Sequence, residues 1–317
     1  VGYRLFSHRD MKPAPHPPTE TTDVPELKCG PFRPNDSGPL AMLRSARSAE
    51  FSYNMSNNVD RRTSDDIAIL SIQGPLEHHA GWCWESFEAI LHRLEKVLVG
   101  DDVVQAAVEA ERQRAWAENR APDPVSAKPR PARAVILRID SPGGEAAGSM
   151  STHRAIRRLR KRHGIPVYAY ADELAASAAY AIASACDEIW LPDTGMVGSI
   201  GVIATLFDRT QQNYNAGLAI ELVTSGKYKA DSHADRRITD GIRARMQRRV
   251  DDLADIFFET VAKARGGSAK AVADLEAALF AGDKAVAAGL ADGVADFPKF
   301  MRIVRRSLAA TTTSVAA

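Results

Sequence analysis

From Ala134 onward the sequence alternates strand-like and helix-like segments, and this alternation constrains the fold more than any other feature. AVILRID is a β-branched, nearly all-apolar run, SPGG a turn, and Glu145–His163 a helical stretch with a strongly basic exposed face. PVYAYA is the next strand, and the alanine-rich ELAASAAYAIASAC the next helix. EIWLP, VGSIGVIATLF and LAIELVTS read as further strands, followed by a long helix over Thr239–Arg265 with Ile242, Met246, Val250, Leu253 and Phe257 on one stripe. Strands that are apolar on both faces and separated by helices predict βαβ units and a mostly parallel α/β sheet.

The same pattern starts earlier, where IAILSIQGPL from about Asp65 reads as a buried strand stopped by Gly74-Pro75. Phe87, Ile90, Leu91, Leu94 and Leu98 then recur at helical spacing, so a helix is expected over Ser86–Val99. Residues 101–120 read as a more polar helix capped by Asp101 or Asp102. Four prolines in the next eleven residues make 100–132 a helical insertion with a linker. Prolines crowd the first 60 residues, so 1–64 is expected to be an extended, disordered arm. The folded body then spans 65–300, and 301–317 is expected to be a flexible tail.

Composition removes several function classes. Lys plus Arg number 41 against 40 Asp plus Glu, a net charge of +1, which argues against a nucleic-acid partner. Three unpaired-looking cysteines, Cys29, Cys83 and Cys186, give neither a disulfide framework nor a thiolate metal site. No run approaches the roughly 20 apolar residues of a membrane span, and the first residues lack signal-peptide order. A cytoplasmic protein without a membrane anchor is expected.

Two local patterns can carry chemistry. In RIDSPGG, two glycines at a strand end let the backbone approach a ligand, with Gly144 presenting its amide at a helix start. An ordinary strand-to-helix turn explains the same residues. In Ala175–Tyr180, the lone hydroxyl of Ser177 sits among the smallest side chains at a helix start, and the Ala178 amide follows it. Helix packing through small residues explains that pattern equally. A serine needs a base. Neither the Ser177 region nor the SGKYK segment contains a histidine, and there is no Gly-x-Ser-x-Gly elbow. His78 and His79, if in a strand, point to opposite faces and do not make a metal site. His92, His153 and His163 read as surface residues, and His233 as a weak candidate. SGKYK offers Lys227 and Lys229, either of which would act as a base only if desolvation lowered its pKa.

Taken in order, IDSPGG, AASAAY, GSIGVI, SGKYK, VAKARGG and LFAGDKAVAAGLAD resemble the protease IV, or signal peptide peptidase A, family of serine proteases, over roughly residues 65–297. The resemblance implies a Clp protease/crotonase-like fold of repeated ββα units and a Ser–Lys dyad. On this chain Ser177 corresponds to the nucleophile and Lys229, 52 positions downstream, to the general base, with Lys227 as rival. Ser199 corresponds to the serine that orients the lysine amine, and the amides of Gly144 and Ala178 to the oxyanion hole. Ser177-Ala178-Ala179 stands where the family usually has Ser-Gly-Gly, which narrows the space beside the nucleophile. No cofactor and no metal are implied. The single-length chain is similar to the head-maturation proteases of tailed phages, which implies scaffold or capsid proteins as substrates, a ring-like homo-oligomer, and the host cytoplasm or assembling prohead as location. A soluble signal-peptide-peptidase-like enzyme, a crotonase-fold acyl-CoA enzyme and a non-catalytic assembly protein are the alternatives. The basic run Arg154–His163 reads as a solvated helix face.

Overall fold

The computed structural model describes residues 61–79 and 84–315. The arm ahead of Arg61, with Cys29, lies outside them, as does Cys83. Ten strands occur among the described residues: β1 (Arg61–Arg62), β2 (Ile67–Gln73), β3 (Leu76–Glu77), β4 (Glu85–Ser86), β5 (Ala134–Ser141), β6 (Val167–Ala176), β7 (Glu188–Leu191), β8 (Met196–Gly198), β9 (Leu279–Ala281) and β10 (Gly293–Val294). The helices are α1 (Phe87–Val99), α2 (Asp101–Ala117), α3 (Ser149–His163), α4 (Ala178–Ala183), α5 (Thr210–Asn215), α6 (Asp240–Arg265), α7 (Ala269–Ala273), α8 (Gly282–Ala287) and α9 (Phe297–Val315).

The main sheet has the order β1-β2-β5-β6-β7-β10. All neighbours on this path are parallel except β1, which runs antiparallel to β2. β6 is long enough to serve two partners on one edge. Its first half pairs with β7 through Tyr168–Tyr170, and its last three residues pair with β8. β9 closes onto β8 antiparallel. The expected mostly parallel α/β architecture is what forms.

Side chains alternate across the sheet, and both faces are covered. Val135, Leu137 and Ile139 of β5 face α1, α3 and α4, together with Phe257 and Val261 from the end of α6. Ala134 and Ile136 face the other way, with Ile67, Ile69, Tyr168 and Tyr170, against Phe300, Met301, Val304 and Leu308 of α9. Two-sided burial is why β2 and β5 read as continuous apolar runs.

Several boundaries differ from the sequence reading. Arg61 and Arg62, assigned to the arm, pair with Ile69 and Ala68. Residues 301–315, expected to be flexible, continue α9. Met301, Val304 and Leu308 follow Phe300 at helical spacing and bury against the sheet, which holds the segment in place. The helix expected from Glu145 begins at Ser149, because Gly148 (φ 83°) turns the chain just ahead of it. The polar helix α2 starts after Gly100, not from an aspartate cap. Asp101 and Asp102 lie inside its first turn.

Two of the expected strands are largely absent. Only Met196–Gly198 of the VGSIGVIATLF region pairs, and LAIELVTS pairs with nothing among the described residues. Ile203, Phe207, Leu218 and Val223 are 57–92% exposed. Their apolar character comes without any covering surface among the described residues.

Candidate active site

β5 and β6 lie side by side, and both end at one edge of the sheet, in the two turns that build the site. β5 ends at Ser141, whose hydroxyl donates to the Gly74 carbonyl (2.6 Å) and accepts from the Gly143 amide (3.1 Å). These bonds fold the SPGG turn back across the end of β2. Leu76 N–H then donates to the Gly143 carbonyl, and Glu145 N–H to the Leu76 carbonyl, both at 2.9 Å. This bridge uses the groups flanking Gly144 and leaves the Gly144 amide directed away from Leu76. A side chain at Gly144 is impossible here, since its Cβ would stand 1.9 Å from the Leu76 oxygen.

β6 ends at Ala176, and Ser177 follows with φ 54° and ψ −122°, a conformation that non-glycine residues rarely adopt. Such strain costs about 1–3 kcal/mol and persists only where the surroundings fix it. Three contacts do so. The Ser177 amide donates to the Gly198 carbonyl of β8 (2.9 Å), and the Ser177 carbonyl accepts from the Ala181 amide (3.0 Å). Gly143 packs against the turn so closely that a Cβ there would lie 2.6 Å from the Ala176 oxygen and 2.8 Å from the Ser177 Cβ. Ala178 is the first residue of α4, so its amide is one of those that a helix start leaves without an internal acceptor.

The register Ala176↔Gly198 sets Ser177 and Ser199 next to each other across adjacent strands. Ser199 also has a positive φ, 51°, and its amide donates to the Ala278 carbonyl (2.9 Å). The two turns thus set Ser177 and Ala178 beside Gly143, with Ser199 just past the neighbouring strand and Gly144 next in the SPGG turn. Gly143 is the residue the sequence reading passed over. The second glycine drew attention as an amide donor, whereas the first, at φ 93°, is the one in contact with the nucleophile's turn.

The lysines are elsewhere. Lys229 lies in an exposed turn, its amide donating to the Gly226 carbonyl (3.3 Å), and its amine bonds neither Ser177 nor Ser199. The Lys227 amine sits 5.5 Å from the Tyr228 ring, whose other neighbour is the Arg245 guanidinium at 4.5 Å. Asp231 ties this segment to α6 through Arg245 (2.6 Å), and both Arg245 and Arg236 hold its carboxyl below the usual range. Within one chain the lysine segment is anchored to α6 and Ser177 to the sheet edge.

The histidines also differ from expectation. His78 and His79 follow β3 in a bend with their rings stacked at 4.0 Å, and His79 meets Glu88 (2.9 Å). They do not face opposite ways, because the chain has already left the strand. His153 is no surface residue: it is 3% exposed, with Nδ1 2.9 Å from the Ala181 carbonyl. Burial and the neighbouring arginines hold its pKa below 6.5. Cys186, fully enclosed, has its thiol pushed up to about 12, so it is not a nucleophile at neutral pH. No cluster of metal-ligating side chains occurs among the described residues, and none of their helices is long and apolar enough to cross a membrane.

The chain is similar in sequence to known proteins. The chain is 34% identical over 231 residues to the head-tail preconnector protein GP5 of Enterobacteria phage P21, covering 73% of this chain and 41% of that protein. It is 33% identical over 179 residues to capsid assembly protease C of Escherichia phage lambda, covering 55% of this chain and 39% of that one. It therefore spans about two fifths of the length of these phage relatives. Among solved structures, a mutant of the 1510-N membrane-bound stomatin-specific protease overlays with a TM-score of 0.42 at 14% identity, over 76% of this chain and 84% of that one. The model of peptidase family S49 matches residues 159–309, which contain every motif from AASAAY to LFAGDKAVAAGLAD.

Proposed function

We propose that this chain is a serine endopeptidase with Ser177 as nucleophile and Lys229 as general base. The observation that carries this reading is the strained Ser177 turn, held between Gly143 and Gly198 with the Gly144 and Ala178 amides beside it. Neutral Lys229 takes the Ser177 proton as the hydroxyl oxygen bonds to a peptide carbonyl carbon. The carbonyl oxygen becomes an oxyanion held by the two amides, each worth about 3–4 kcal/mol in such sites. Charged Lys229 returns the proton to the departing amine as the C–N bond breaks. Water, deprotonated by the same lysine, then splits the acyl-enzyme and regenerates both groups. Ser199 orients the lysine amine.

A solvated lysine is charged at neutral pH and cannot act this way. The exposed apolar residues of the 199–229 segment, which also carries Lys227 and Lys229, support closure of the dyad on assembly of several copies. A neighbour covering that segment would desolvate the lysine and bring it to a serine, giving a ring-like homo-oligomer. The phage relatives support scaffold or capsid proteins as substrates. The test is labelling by a serine-directed fluorophosphonate at increasing protein concentration. Labelling that grows with assembly and disappears in Ser177→Ala supports the peptidase reading. An assembled wild-type chain that never labels would overturn it in favour of a non-catalytic assembly protein.

A further inference from the structure

A groove of about 1220 Å³ lies at the opposite end of the sheet from Ser177. It is lined by residues just ahead of β5, β6 and β7, the ends of the strands where the chain enters the sheet, whereas Ser177 follows the exit end of β6. β6 alone has ten residues, which sets the two places roughly 30 Å apart.

The two walls differ in chemistry from the floor. Arg157, Arg158 and Lys161 of α3 project along one side, all exposed and without an ion pair among the described residues. Ile165, Pro166 and Leu308 form an apolar floor between α3 and α9. The acidic residue in the lining, Asp187, is already engaged by Arg160 (2.7 Å) and by the Val167 amide (2.8 Å). The groove is therefore cationic with no counter-charge of its own.

A solvated helix face does not account for this arrangement. Cations in the last turn, Arg160–His163, offset the helix dipole, but Arg154, Arg157 and Arg158 lie upstream of that turn. Arg154 with Arg158, Arg157 with Lys161, and Arg158 with Arg162 are like-charge pairs at i,i+4, each destabilising by itself. Their field is strong enough to add to the depression of the neighbouring His153. An anionic occupant would relieve all of these repulsions together.

We infer that this groove is a docking site, remote from the nucleophile, for an acidic, amphipathic segment of another polypeptide. Carboxylates would pair with Arg157, Arg158 and Lys161, while apolar side chains interleaved with them would cover Ile165, Pro166 and Leu308. The apolar floor is what selects a polypeptide over a nucleic acid, whose phosphates offer it nothing. The aromatic residue of the lining, Tyr168, is 6% exposed and presents no open ring for a base to stack on.

Fluorescence anisotropy on the full Ser177→Ala chain tests this independently of cleavage. The probe is a short labelled peptide of alternating Glu and Leu pairs, compared with its Glu-to-Gln counterpart and with a single-stranded oligonucleotide of equal charge. The acidic peptide should bind in a salt-sensitive way, and the Gln peptide should not. Arg157→Glu/Arg158→Glu/Lys161→Glu, and the milder Arg158→Gln/Lys161→Gln, should each weaken binding by about tenfold or more. Both variants alter only exposed side chains, and circular dichroism checks that they fold. Unchanged affinity in the folded variants, equal binding of the Gln peptide, or tighter binding of the oligonucleotide would each overturn the inference.

Discussion

Replacing Gly143 by alanine isolates the geometry on which the nucleophile depends. The added Cβ would meet the Ala176 oxygen at 2.6 Å, the Ser177 Cβ at 2.8 Å and the Ala178 nitrogen at 2.9 Å. These atoms belong to the backbone or its first carbon, so no flexible side-chain tip can swing aside. To restore ordinary contact the Ser177 turn must recede by up to about 0.8 Å, and displacements near 1 Å can cost about 100-fold in rate. The φ of 93° adds about 1–3 kcal/mol of strain, which lowers the melting temperature by roughly 3–10 °C for a body of this size. Gly266→Ala provides the control: its φ is 74°, but nothing lies within 4 Å of the new Cβ. Gly266→Ala should lose only the strain energy and Gly143→Ala more than that, while only Gly143→Ala loses about 100-fold in the rate of fluorophosphonate labelling below its melting temperature. If folded Gly143→Ala labels at the wild-type rate, the contact does not position Ser177, and the site geometry argued above is wrong.

Three further outcomes are expected. Ser177→Ala and Lys229→Ala chains, each inactive alone, should regain part of the peptidase activity when mixed, because the missing serine and lysine come from different copies. Activity absent from mixtures that co-assemble by light scattering would rule out a shared dyad. Phe300→Ala should destabilise the chain by about 3–5 kcal/mol in urea unfolding, since this fully buried ring packs on Tyr170, Tyr168 and Trp190. A change below about 1 kcal/mol would mean that α9 is not part of the core. Since His153 is held neutral below 6.5, the unfolded chain binds its proton first as the medium is acidified. The stability is complete above pH 6.5 and falls as pH drops below it, so His153→Asn should flatten that acid-side slope in denaturation measured from pH 7 to about 5.

Local pattern revealed those parts of the fold whose partners lie within the same sheet. Ile67–Ile72 and Ala134–Ile139 could be read as buried strands because burial on both faces leaves no polar alternation. Ser86 could be read as the start of α1 because its hydroxyl caps the Ala89 amide three residues on. The same logic misled at Leu218–Val223. An apolar run left uncovered among the described residues has the same composition as one buried in the sheet. Met301, Val304 and Leu308 erred in the other direction, their helical spacing hidden among arginines, alanines and threonines. In the site, Ser177 and Gly144 were legible because both follow strands, and adjacency in a sheet carries over into space. The distance between Ser177 and Lys229 was not, since a connection through 52 residues of sparse secondary structure specifies no geometry.

The bond from the Ser177 amide to the Gly198 carbonyl has a consequence in time. Gly198 is itself pinned by β9, where Leu279 is its strand partner, and the Ala278 oxygen lies where only a glycine at 198 leaves room for it. The nucleophile's turn is thus completed by residues synthesised about a hundred positions after it, a gap of roughly 5–20 s at ordinary translation rates. Until Phe280 and Ala281 have emerged from the ribosome and paired with β8, Ser177 lacks the support that holds its strained backbone. On the proposed function, Ser177 becomes competent only after Leu279–Ala281 have been made and have paired.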